Sequence, residues 1–330
     1  MTTVYLIRHA EAEGNLYRRI QGQYDVNVTP NGHRQIAALE QRFRNISVDA
    51  CWSSDLIRTR TTAQAVCCPH NIPLQLDDGL LEVGLGRWEN VPFGKLYACE
   101  PELMDIFDHD PVNWQVEGCE TYIEYTSRFL NALNRITDLH RNATVCLFSH
   151  GAVIRAAMKC LFPDAKIGHS DNTAVTLLTR DDDGYHPVYF NDTSHLTEEI
   201  STLARQNWWR NDGSRDYNLW FTDDVTVPES ISVPTAAQAH VAFLDHEPVG
   251  AVFLRDNGNA GQIVHMEILP QWQGLDLEEQ LLGQAVFTFR DQGKTSLYVH
   301  AAPSVDAFCA AQGLCRDGEV WSMDIRLKKV

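Results

Sequence analysis

The chain has 330 residues, 44% of them apolar and 22% charged, an ordinary balance for a soluble globular protein and enough for two domains. Its net charge of −17 argues against nucleic-acid or anionic-membrane partners, and no basic half hides in the average. Residues 1–200 hold 17 Lys/Arg against 27 Asp/Glu, and residues 201–330 hold 10 against 17. A small anionic substrate therefore needs a local cluster of cations.

Nine cysteines, an odd number without paired spacing, read as reduced thiols. Cys67 and Cys68 are adjacent and form no metal or redox motif. The N-terminus enters a strand directly and no apolar run is long enough to span a bilayer, so a cytoplasmic protein is expected.

The first strand is TVYLI (3–7), and it ends abruptly in Arg8-His9. A guanidinium and an imidazole at that end stand where open α/β sheets bind ligands. Arg offers a fixed charge and forked donors for phosphate oxygens, and a neutral imidazole is a nitrogen nucleophile. Next comes TPNGHRQIAALEQRFRN, with Thr29 as N-cap, Pro30 in the first turn, and Ile36, Leu39 and Phe43 at helical spacing. VDACWSS (48–54) is a second strand, after which SSDLIRTRTTA places Arg58 on a loop or first helical turn. Glu82 lies in LLEVGLGRWEN, a Gly-rich stretch unsuited to regular helix. An amphipathic helix runs from about Thr121 to His140. ATVCLFSH (143–150) is a third strand, ending at His150, and Gly151 permits a tight turn into AVIRAAMKCLF, whose N-terminus favours an anion. Alternating strands and helices predict a largely parallel sheet covered on both faces.

TAVTLLT and YHPVYF form a hairpin about Asp181–Gly184, followed by a helix from Ser194-His195 to the Trp pair at 208–209. The first domain then spans residues 1–205. A linker occupies 206–237, with NLWFT as a first strand of the next domain. From 238 to 330 the pattern is a hairpin turning at His246-Glu247, a third strand GQIVHMEIL, a helix Leu277–Arg290, a strand SLYVHA, a short helix VDAFCAAQGL and a strand WSMDIRL.

Arg8, His9, Asn15, Gln21, Gly22, Arg58, Glu82, His150 and Gly151 thus form one ordered set. Residues 1 to about 200 resemble the histidine phosphatase superfamily, also called phosphoglycerate mutase-like. Arg8-His9-Ala10 stands for the family's Arg-His-Gly signature, and VTPNGHRQ, SSDL with Arg58, GRWEN and FSHG follow in family order. The resemblance implies a three-layer α/β/α fold and no metal. His9 would carry a phosphohistidine, with Arg8, Arg58 and His150 neutralising the phosphoryl oxygens and Glu82 donating a proton. Asp78 and Glu89 are competing carboxylates for that last role. Asn15, Gln21, Gly22 and Gly151 would supply further donors. Glu11 and Glu13 are expected to flank the entrance, Arg60 to form a surface ion pair, and His33, His70, His109 and His140 to be exposed or at helix ends.

Between mutase and phosphatase, two features favour hydrolysis of a small phosphomonoester. True mutases of this family usually carry Trp before the Asn, where this chain has Gly14. The segment 89–111 after the acid is acidic, with Lys95 its one Lys or Arg.

Residues 238–330 resemble the later part of a GNAT-type N-acetyltransferase, a smaller α+β domain. In that family a small-residue loop wraps the pyrophosphate of acetyl-CoA through backbone N–H groups. Here Gln273 and Gly274 match it, but Asp276 and Glu278 replace small residues. Negative charge there opposes a diphosphate and instead suits the helix macrodipole. The reading is a truncated or degenerate module for packing, homodimerisation or another ligand, with acetyl-CoA transfer the lesser alternative.

Overall fold

A computed structural model describes residues 1–207, 209–210, 214 and 216–328. The described residues build two sheets. In the first, β1 (Thr2–Arg8) lies centrally, parallel to β4 (Thr144–Ser149), with Arg8 opposite Ser149. Beyond β4 come β2 (Ala50–Ser53) and the short β3 (Leu74–Leu76), both parallel to it; the sequence pattern gave no sign of β3. On the other flank the hairpin β5 (Val175–Asp181) and β6 (Gly184–Asp192) runs antiparallel, giving the order β3-β2-β4-β1-β5-β6.

The inner strands are buried on both faces, which is why β4 reads as an unbroken apolar run. One face carries Ile7, Cys146 and Phe148 against α2 (Pro30–Phe43) and α3 (Ile57–His70), through Leu39, Phe43 and Val66. The other carries Leu6 and Leu147 against α6 (Tyr122–Leu139) and α7 (Gly151–Leu161), through Phe129, Ile136 and Val153. The caps are local chemistry. Thr29 Oγ1 accepts from Gly32 N–H at 3.0 Å, and Thr121 with Glu124 forms a capping box. Between β3 and α6, the helices α4 (Phe93–Cys99) and α5 (Pro101–His109) fold over a Trp88, Phe107 and Trp114 cluster.

The helix expected from Ser194 to the Trp pair is not formed; residues 194–207 hold turns and a single 3-10 turn at Leu203–Arg205. Side chains claim the polar groups that would have built it. Ile200 C=O accepts from Asn31 and Gln35, Thr202 donates to Glu11, and Asp171 accepts from Ser201 Oγ and Leu203 N–H. Trp208 lies outside the described residues, as do 211–213 and 215 of the expected linker.

The second sheet has the order β12-β13-β11-β10-β9-β8-β7. It starts at β7 (Leu219–Thr222), which is the NLWFT segment, and continues with β8 (Gln238–Leu244), β9 (Glu247–Asn257) and β10 (Ala260–Ile268) as an antiparallel run. The β8–β9 turn falls at Asp245-His246, one residue before its expected place, with Asp245 at φ 53. Helix α8 (Glu278–Asp291) crosses to β11 (Ser296–His300), which lies parallel to β10. The short α9 (Asp306–Ala311) precedes β12 (Cys315–Asp317) and β13 (Val320–Asp324). Among the described residues no helix is long and apolar enough to cross a membrane.

Candidate active site

Three neighbouring parallel strands, β2, β4 and β1, end at one edge of the first sheet, and their last residues meet there. Arg8 and His9 leave β1, Ser54 follows β2, and His150 follows β4. His9, Arg58 and His150 are buried, at 6%, 1% and 0% exposure, so the chemistry is enclosed. The imidazoles of His9 and His150 lie with ring centroids 5.2 Å apart.

The His9 ring is oriented by its own neighbour. Its Nδ1 lies 2.7 Å from Ala10 C=O, and because a carbonyl only accepts, Nδ1 carries the proton. The lone pair is left on Nε2. Burial first, and then the charges of Arg58 and Arg8, hold the His9 pKa well below its ordinary value, so the ring is neutral at pH 7. The backbone is pinned as well: His9 C=O accepts from Thr173 N–H and from Asn172 Nδ2, and His9 N–H donates to Ser149 C=O.

The cations are aimed by carbonyls. Arg58, in the first turn of α3, donates from Nη1 to Tyr24 C=O at 2.9 Å and from Nη2 to Gly22 C=O at 2.5 Å. Burial pushes it down to about 10, still charged at neutral pH. Arg8 donates from Nη1 to Ser170 C=O. In both guanidiniums Nε is buried without a partner, as are His150 Nδ1 and Gln21 Nε2. A buried unpaired N–H is costly, and the oxygens of an anion would accept from the two Nε–H groups. His150 Nε2 lies 2.7 Å from Ser54 Oγ; when that hydroxyl donates, the ring proton sits on Nδ1.

Glu82 is buried near the two guanidiniums, close enough for its charge to act on both. Its Oε1 accepts from the N–H of Val83 and Val153, and Oε2 from Ala152, each at 3.1 Å. The anion at the N-terminus of α7 is therefore a protein carboxylate. Burial raises the Glu82 pKa, outweighing the lowering by those three N–H groups and by Arg58. The competing carboxylates are otherwise placed. Asp78 is exposed, and Glu89 is saturated by the N–H groups of Gly22, Gln23, Tyr24 and Leu85 at 2.8–3.1 Å.

Glu89 thus shapes the 22–24 loop, and Arg128 shapes the acid loop, donating to the carbonyls of Asp78, Gly79, Leu81 and Glu82 while paired with Glu120. The sequence pattern pointed to neither role, nor to those of Asn172 and Ser54, because each acts across more than 30 residues.

The remaining expected residues fall as follows. Asn15 uses Oδ1 to hold Ala12 N–H at the start of α1 (Glu13–Leu16) and to accept from Asn172. The Gln21 amide lies over Gly14, where any β-carbon would overlap it. Gly22 cannot take a side chain either, since a β-carbon would overlap Val83 C=O; its N–H is held by Glu89. Gly151 abuts Arg8, with a β-carbon position 3.2 Å from Nε. Arg60 pairs with Asp55 at 2.9 Å at the surface. Gln273 and Gly274 follow β10 of the second sheet; both are exposed, and Gln273 donates back to Ile268 C=O. Glu11 and Glu13 do not flank an entrance, because both are buried in pairs. Glu11 meets Arg205, Thr29 and Thr202, and Glu13 meets Asn27 and Arg290. A buried carboxylate needs such partners.

A buried neutral imidazole with two guanidiniums and a buried carboxyl beside it is the donor set that phosphoryl transfer uses. The family model for the histidine phosphatase superfamily (branch 1) matches residues 4–193, and the chain belongs to that superfamily. Among similar proteins, "Probable phosphoglycerate mutase GpmB" of Erwinia tasmaniensis is 32% identical over 154 residues, 47% of this chain and 72% of its own length. "Phosphoserine phosphatase 1" of Hydrogenobacter thermophilus is 26% identical over 203 residues, 60% of this chain and 96% of its own. Among solved structures, YhfR of Bacillus stearothermophilus superposes with TM-score 0.57 at 28% identity, covering 59% of this chain and 99% of its own.

Proposed function

We propose that this chain hydrolyses a small phosphomonoester through a phosphohistidine on His9. The observation that carries the reading is a neutral imidazole beside two buried guanidiniums whose Nε atoms have no partner, with the likewise unpartnered His150 Nδ1 nearby. In the first step His9 Nε2 forms a bond to phosphorus as the bond to the ester oxygen breaks, and the Glu82 carboxyl gives that oxygen its proton. In the second, Glu82 takes a proton from water, whose oxygen attacks phosphorus and releases His9. The cations hold the charge that builds on the three phosphoryl oxygens, and one such donor is typically worth about 3–4 kcal/mol.

Hydrolysis is favoured over mutase transfer by Gly14, which stands where mutases of the family usually carry Trp and is covered by the Gln21 amide. The test is incubation with 3-phosphoglycerate and a panel of phosphomonoesters. Release of inorganic phosphate supports the proposal, and fast isomerisation without release overturns it.

For the second domain we propose a degenerate acetyltransferase-like module that does not transfer acetyl groups. The donor set does not fit acetyl-CoA: Asp276, Glu278 and Glu279 crowd the start of α8, and a diphosphate there would meet three carboxylates. Calorimetric titration with acetyl-CoA tests this; micromolar binding would restore the acetyltransferase alternative.

A further inference from the structure

The segment that aims Arg58 belongs structurally to both domains. Residues 17–29 hold no helix or strand beyond isolated bridges, so contacts alone fix their path. From the first domain come Arg58 and Glu89. From the second comes α8. Ala12, Tyr17 and Val26 are buried in one continuous apolar cluster with Leu281, Ala285 and Phe287 of that helix. Phe287 is edge-on to both Tyr17 and Tyr24, with centroids 6.2 and 6.1 Å away, and the Arg19 guanidinium lies 4.7 Å over its ring. Arg19 also donates to Gln284 at 3.2 Å. Arg290 grips Glu13 with two bonds of 2.9 Å, and Glu13 in turn holds Asn27.

Tyr24 is the pivot. Its ring rests on α8, and its carbonyl accepts from Arg58. The closeness of approach rests on Gly283, since a β-carbon there would overlap Cβ and Cγ of Tyr17.

We infer that α8 is a positioning element of the phosphate site: through Gly283, Phe287 and Arg290 it holds the 12–28 segment in the path whose carbonyls aim Arg58, so phosphate binding in the first domain depends on the second. The inference rests on the phosphomonoesterase reading only for the identity of the bound anion. Loss of the α8 contacts lets Tyr24 and Gly22 relax, and Arg58 Nε then turns away from the anion. No counterpart of this coupling follows from stability alone, which lowers the fraction of active protein without changing its affinity.

The test titrates inorganic phosphate calorimetrically into the full chain and into three α8 variants. Gly283→Ala removes a helix-weakening glycine while wedging Tyr17, so it keeps the helix and moves the segment. Arg290→Met leaves the buried Glu13 with Asn27 but without its cation, and Arg290→Lys restores a charge. Phe253→Leu, in a separate cluster of the second domain with Ile231 and Leu269, is the control for stability. The expected result is phosphate binding weakened at least tenfold in Gly283→Ala and Arg290→Met, restored to within threefold in Arg290→Lys, and within twofold of the parent in Phe253→Leu. The KM for p-nitrophenyl phosphate should rise in the same order. Parent-like affinity in cooperatively melting Gly283→Ala and Arg290→Met would overturn the inference, as would equal weakening in Phe253→Leu. A parent chain that binds phosphate but hydrolyses no ester would refute the hydrolase reading, while the affinities would still judge α8.

Discussion

Glu82 and Val153 are joined by a 3.1 Å hydrogen bond from the backbone N–H of α7 to the carboxylate, 71 residues apart in the chain. The bond ties the acid to the helix that begins directly after His150. Of the three nearby carboxylates, only Glu82 is buried and held in this way at the start of α7, which supports the proposed acid role.

Replacing Glu82 by Gln keeps the shape and removes the proton. The expected loss in kcat/KM for an alkyl phosphate is about 10²–10³, smaller for p-nitrophenyl phosphate, whose leaving group needs no proton. Because burial raises the Glu82 pKa, the alkaline limb of the pH–rate profile lies above the ordinary carboxyl value, and it should vanish in the variant. The acid limb, set by His9, lies below 6.5 and should remain.

Glu89→Gln should behave differently. Its carboxylate holds four backbone N–H groups, so the variant is expected to lose roughly 2 kcal/mol of stability and to raise KM, with the pH profile unchanged in shape. Thermal melting and pH–rate measurements distinguish the two glutamates.

Arg58→Lys is not conservative here. A single ammonium cannot donate to Gly22 and Tyr24 carbonyls and still present a fixed planar N–H to phosphate. The expected fall in kcat/KM is about 10²–10³, with weaker phosphate binding by calorimetry.

Stability should fall as the solution is acidified from pH 6.5. Burial lowers the pKa of His9 and His150 well below 6.5, and that of His169 and His195 to about 4. Between those values and 6.5 the unfolded chain binds protons that the folded chain refuses, so each pH unit lost favours unfolding. Melting temperatures from pH 7 to pH 5 would show the decline. Added phosphate should offset it, because an anion beside His9 and His150 favours their charged forms.

The first sheet and the edge where Arg8, His9 and His150 meet were legible because the strands are strongly apolar and end in polar residues. Thr29, Pro30 and Thr121 marked helix starts for reasons confined to a few residues. The segment 194–207 misled because its apolar spacing suits a helix, while Asp171, Glu11 and Gln35, distant in sequence, take its polar groups. Glu11 and Glu13 misled in the same way: nothing local announces Arg205 or Arg290 as their partners. The role of α8 was likewise hidden, since Phe287 meets Tyr17 and Tyr24 only in three dimensions.

The central claim is that His9 accepts the phosphoryl group covalently. Brief reaction with a ³²P-labelled phosphomonoester, quenching in alkali and peptide mapping should place an acid-labile, base-stable label on His9, absent from His9→Ala. Turnover of the ester by His9→Ala at the parent rate, or label on another residue, would contradict the account.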